Sequence, residues 1–185
     1  MSAGIQTSEV SVGAHRIFWG AAGSETELGL TAEGSIVRIG QEQVPVKTEE
    51  YGTGENGTPV KKIHGGETMV AELILAQWSP AQLLIAIPGS VAGTGTDTAS
   101  VYIGKQAGTD LSGTTYARRL RLHPITQTNT ATETNDVYIH LAIPKPLPIE
   151  ARFNNREAKM IGVSFEGIVD TTQSDGSRLG RIRVT

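Results

Sequence analysis

Gly52-Thr53-Gly54-Glu55-Asn56-Gly57 has the G-x-G-x-x-G spacing that brings backbone amides and a helix N-terminus against a pyrophosphate. That chemistry needs a strand before the glycines and a helix after them. Here Pro59 and Gly65-Gly66 follow instead, and no strand–helix alternation surrounds them, so a polar loop is the better reading. Gly104-Lys105 looks like the end of a phosphate loop, but Gln106 replaces the metal-binding hydroxyl and Ala99 occupies the position of the first glycine. His15, His64, His123 and His140 are far apart, and none has a second histidine or a carboxylate at a ligand spacing. No serine lies in a nucleophile elbow, so no Ser, His and Asp set can be nominated. The expectation is a protein that is not an enzyme and has no catalytic, metal or cofactor residues.

Arginines are the remaining chemically active group. Arg118, Arg119 and Arg121 fall on one expected strand, and Arg181 and Arg183 share a face of the last one. Such side chains can grip phosphates, pair with carboxylates of another copy, or keep a sheet edge soluble. Net charge decides between these uses. The chain carries −3 overall and only 5% aromatics, which does not fit a nucleic-acid reader with a basic face and stacking platforms. Residues 1–60 carry about −5 and residues 61–185 about +2, an asymmetry suited to head-to-tail contacts between copies and equally to an acidic, loop-rich segment.

The elements that position these residues read as strands. Glycine, threonine and proline are abundant, cysteine is absent, and 185 residues suffice for one domain whose core needs no disulfide. No run reaches the roughly 18 apolar residues of a membrane span, and the first residues lack the pattern of a signal peptide, so the expectation is a soluble chain made in the cytosol. Val137–Ile143 alternates, with Val137, Ile139, Leu141 and Ile143 on one face. Met160–Asp170 places Ile161, Val163, Phe165 and Val169 together, and Asp175-Gly176 predicts a hairpin returning through Leu179–Val184. Weaker strands are expected near Val10–Trp19, Ile36–Lys47, Ala99–Gly104 and Tyr116–His123. Glu49–Pro59 and Ser90–Thr98 read as loops.

Thr68–Trp78 differs from the rest. Met69, Ala71, Leu73 and Leu75 share one face while Val70, Ile74 and Trp78 share the other, and a strand apolar on both faces must be covered on both. Either the domain's own helix or an identical neighbour can do this. Ser79-Pro80-Ala81-Gln82 reads as a capping box opening a short helix through Ile87, ended by Pro88-Gly89.

The succession of these pieces over residues 36–183 resembles the tail tube proteins of long-tailed bacteriophages. The resemblance rests on the polar loop Tyr51–Gly66 with Thr58-Pro59-Val60-Lys61-Lys62-Ile63, the apolar strand Glu67–Trp78, and the helix Ser79–Ile87. Leu122-His123-Pro124-Ile125, Asn135–Ile143, Val163–Asp170 and Asp175–Ile182 follow in order. Residues 1–35 and the Gly/Thr tract match nothing in that pattern. The resemblance implies a single mainly β domain over 1–185, with two packed antiparallel sheets in a sandwich or barrel-like arrangement flanked by one short α-helix, as in type VI secretion tube proteins. It further implies a long loop at 47–66 that reaches a neighbouring subunit, while residues 1–35, outside the resemblance, are expected to form an extended N-terminal arm. Its subunits form hexameric rings stacked into a tube in the virion, contacting other tail proteins and passing DNA through the lumen without reading it. Tyr51, Pro59, Lys61, Lys62, Ile63, Met69, Leu73 and Leu75 are the interface candidates. The competing expectations are a β-sandwich binding module, either a decoration domain of a virion or a carbohydrate-binding domain, and a small-molecule enzyme.

Overall fold

The computed structural model describes residues 14–46, 61–75, 79–113, 115–146 and 161–183. Strand β1 (His15–Gly20) is followed by the long strands β2 (Thr26–Val46) and β3 (Lys61–Leu75), and helix α1 (Pro80–Ala86) comes next. A two-residue ladder of β4 (Val91–Ala92) and β5 (Val101–Tyr102) precedes β6 (Arg118–Pro124), β7 (Val137–Pro146), β8 (Ile161–Ile168) and β9 (Gly180–Ile182). The chain is therefore mainly β, as expected, and its described residues form a large antiparallel sheet, a small two-stranded sheet and one short helix.

The large sheet runs β6-β1-β2-β3-β8-β7, and β6 also pairs with β7, so six strands close into a barrel with β9 beside β7. The two expected layers are thus opposite walls of one closed sheet. Closure removes the open edges that would otherwise invite pairing with other chains. An extended arm is expected over residues 1–35. Within them β1 and the start of β2 are barrel strands, and residues 1–13 lie outside the described residues.

The interior is filled by every second residue of the wall strands. Ile17 and Trp19 of β1, Met69, Ala71, Leu73 and Leu75 of β3, Leu120 and Leu122 of β6, and Ile161, Val163 and Phe165 of β8 form one buried cluster. Trp19 and Phe165 meet ring to ring at 5.0 Å between centroids. Gly167 continues the β8 row because a Cβ there would lie 3.1 Å from the Met69 carbonyl oxygen. Helix α1 closes one end and sends Ala86 into the cluster. Ser79 caps it by accepting from the Gln82 amide at 3.3 Å, as its sequence predicts. The other half of the capping box is not made: the Gln82 side chain instead donates to the Leu28 carbonyl at 2.8 Å and ties the helix to the barrel.

Three local expectations are corrected. Strand β7 changes phase, so Ile139 and Ala142 are both buried while Val137, Leu141 and Ile143 are only half-buried. The cause is an irregularity in the β6–β7 ladder between Arg118 and Leu120, at the point where the other side of β7 passes from β9 to β8. Val169 is exposed because β8 ends at Ile168. The Asp175-Gly176 turn exists, with Gly176 at φ 82°, but its return strand pairs with β7 and not with β8. Consequently β9 extends the line of β8 after an excursion through 169–179, closed by the Asp170 amide bonding the Arg178 carbonyl at 2.9 Å.

Candidate assembly surface

Strand β2 serves two neighbours in turn. Its first residues pair with β1 as far as Leu30, and from Thr31 onward it pairs with β3 after a bulge between Thr31 and Ser35. Strand β3 in turn pairs with β8 only from Val70 to Leu75. Among the described residues Ile39–Val46 and Lys61–Met69 therefore pair only with each other, and they leave the barrel as a two-stranded arm about 25 Å long. A second bulge between Glu42 and Gln43, opposite Gly65, re-phases the arm's faces. Beyond it Val44 stands directly opposite Ile63, 45% and 48% exposed. At the base Ile39, 59% exposed, continues the core-facing row past Met69 into solvent. Ile36 is 53% exposed on the outer face, beside half-buried Val70 and Ile74 and the Arg38–Glu72 ion pair.

The interface candidates divide accordingly. Lys61, Lys62 and Ile63 lie on β3, exposed near the end of the arm; the stretch 61–66, read as part of a loop, is strand. Tyr51, Pro59 and Trp78 lie outside the described residues. Met69, Leu73 and Leu75 are corrected: all three are buried in the chain's own barrel and offer nothing to a neighbour. Of the two coverings expected for the apolar Thr68–Trp78 strand, its own helix or an identical neighbour, the inner face of the described part needs neither alone, because the barrel's own walls bury Met69, Ala71, Leu73 and Leu75. Among the described residues, what remains wholly or partly uncovered is the outer face at Ile36, Val70 and Ile74 and the arm beyond it. A two-stranded ribbon is at best marginally stable alone in water, so the arm is the element that gains from a partner.

The arginines are largely occupied within the chain. Arg119 pairs with Glu25, and Arg181 and Arg183 converge on Glu133 at 2.7 and 3.0 Å. Arg121 enters a buried network that spacing did not disclose. The Asp136 carboxylate accepts from Arg121 Nε at 2.6 Å, His123 Nδ1 at 2.7 Å and the Tyr138 hydroxyl at 3.1 Å. His123 Nε2 faces the Gln127 carbonyl at 3.1 Å. Asp136 and His123 are fully buried, and the network anchors the β6–β7 connection to the barrel wall. Every polar group here has a partner inside the protein, the arrangement of a structural network and not of a site open to substrate. Among the described residues no His, Asp and Glu cluster could hold a metal ion. A cavity of about 400 Å³ beside α1 is lined chiefly by Trp19, Leu28, Leu84, Ile85 and Pro144, with Arg118 as its charged group.

Burial, with the Asp136 carboxylate adding to it, pushes the Tyr138 phenol up to about 12. The folded protein therefore keeps a proton that the unfolded chain loses near pH 10, and this contribution to stability, complete below pH 10, is lost as pH rises toward 12. Urea midpoints measured across that window should fall with pH. Tyr138→Phe should flatten the decline; an equal slope in the variant would show that the phenol does not carry it.

The chain matches no family model and no curated protein. Among the described residues, no helix is long and apolar enough to cross a membrane.

Proposed function

We propose that this chain is a non-enzymatic structural subunit that assembles with copies of itself through the β2–β3 arm. The tail tube of a long-tailed bacteriophage is the assembly that accommodates it, with the subunit made in the host cytoplasm and carried in the virion. In this reading hexameric rings stack into a tube, dock to other tail proteins and conduct DNA. One observation carries the proposal: the barrel closes on itself around one core, while an arm of eight residue pairs stands outside it, with both edges open among the described residues and apolar side chains exposed. Open edges on an otherwise closed sheet favour pairing with another chain, and a head-to-tail contact between identical copies closes into rings or extends as filaments. In this reading the contact lies in the 47–66 region expected for it, of which 61–66 is strand of the arm. The weak negative charge suits a conduit, because a wall dense in cations would hold DNA phosphates.

Negative-stain microscopy and light scattering of the purified protein test this reading. Rings or tubes are expected. A species that stays monomeric at every concentration and ionic strength would overturn it, and a compact monomer or trimer that binds carbohydrate would favour a binding module.

A further inference from the structure

We propose that the groove between β9 and the base of the arm receives the acidic segment 47–60 of a second copy, an inference that rests on the assembly reading above. The groove holds about 170 Å³ and is lined by Ile39, Met69, Leu179, Ile182, Arg178 and Arg181 among others. One wall is the edge of β3 below Val70, which among the described residues pairs with β2 alone; the other is the edge of β9 turned away from β7. Each edge carries backbone donors and acceptors to which an extended segment can add as a strand.

The groove's chemistry selects the occupant. Ile39 and Ile182 present exposed apolar surface at its two sides. Arg178 is exposed and has no ion-pair partner among the described residues, while Arg181 and neighbouring Arg183 share the single carboxylate of Glu133. Glu67 is the opposing carboxylate in the groove, and Gln41 donates to it at 3.3 Å. The excess is cationic with an apolar floor. Residues 47–60 supply the complement: Glu49, Glu50 and Glu55 against one cation, Lys47, together with the aromatic ring of Tyr51.

Chain geometry makes the occupant a second copy. Segment 47–60 joins Val46 to Lys61 at the far end of the arm; the groove opens at Glu67, opposite Gln41 and five residues or about 17 Å back along β2, and its floor lies at Ile39, about 23 Å back. Fourteen residues that must go out and return span at most about 24 Å each way when fully extended. That length touches the near rim at Glu67, and nothing would remain to turn and lie along the floor beside Ile39. A neighbouring copy presenting the end of its arm meets no such limit.

The chain contains no cysteine, so engineered pairs report without background. Gly52→Cys and Ile182→Cys proteins, mixed under mild oxidation, should form a cross-linked dimer that neither forms alone. In a second measurement Arg178→Glu should weaken assembly roughly fivefold or more, and Glu50→Arg in the same chain should restore it. Light scattering on the same samples separates the failures. Assemblies that form without the mixed cross-link and ignore the charge exchange overturn the groove alone; monomers throughout overturn the assembly reading with it. A double variant that closes its disulfide within a dilute monomer also overturns the proposal, by placing the segment in its own groove.

Discussion

Replacing Val44 and Ile63 together by aspartate should give a protein that folds as before and no longer assembles. The two side chains face each other across the arm beyond the last core contact, about half exposed, so the change removes nothing from the barrel interior. In an assembly the same positions lose their apolar contact and carry two charges into a dry interface. Burying each side chain contributes on the order of 2 kcal/mol, and two such losses correspond to roughly a thousandfold in association constant. Light scattering should report monomers where the parent forms large species, with thermal midpoints within about 3 °C of each other. Unchanged assembly would remove the arm from the interface. A collapse of the thermal midpoint would show that the arm belongs to the fold.

Asp136→Ala should have the opposite profile, with a severe loss of stability and no direct bearing on assembly. The substitution leaves Arg121 and buried His123 without the carboxylate both address, and the Tyr138 hydroxyl without its acceptor. Removing one member of a buried, hydrogen-bonded ionic set costs about 3–5 kcal/mol, a large part of the stability of an ordinary domain. Urea unfolding followed by circular dichroism should show the midpoint fall accordingly. A loss below about 1 kcal/mol would mean that water or a rearranged Glu133 replaces the carboxylate, and that the network contributes little.

These two variants also divide what could be read from the chain. Alternation announces Met69, Ala71, Leu73 and Leu75 as a strand face, and the barrel buries all four. The same alternation cannot say whose surface covers that face, and assigning it to a neighbour was the error. Lys61–Gly66 resisted reading because Gly65-Gly66 and nearby Pro59 are turn formers. In place, Gly66 adopts φ 154° beside the bulge, and a Cβ on Gly65 would press against Glu42 and Val44 at 3.0 Å, so the glycines permit the strand to continue. The helix was legible because Ser79 and Pro80 signal its start within four residues. The partner of β9 was not, since a turn signal at Asp175-Gly176 is local and a bulged excursion can send the returning strand to another neighbour. The Arg121, His123 and Asp136 network lies beyond spacing arguments altogether: 13 residues separate His123 from Asp136, and only the pairing of β6 with β7 brings them together.

The continuity of β3 also determines how the molecule bears load. One unbroken backbone runs from the arm at Lys61 into the barrel wall, where Val70–Leu75 lies against Ile161–Glu166 along six residue pairs. Tension applied to the arm along the strand axis is carried across that ladder in shear, and its hydrogen bonds must yield together and not one after another. A copy pulled by its arm should therefore resist extraction far better than one pulled by β9, whose three residues can peel away in sequence.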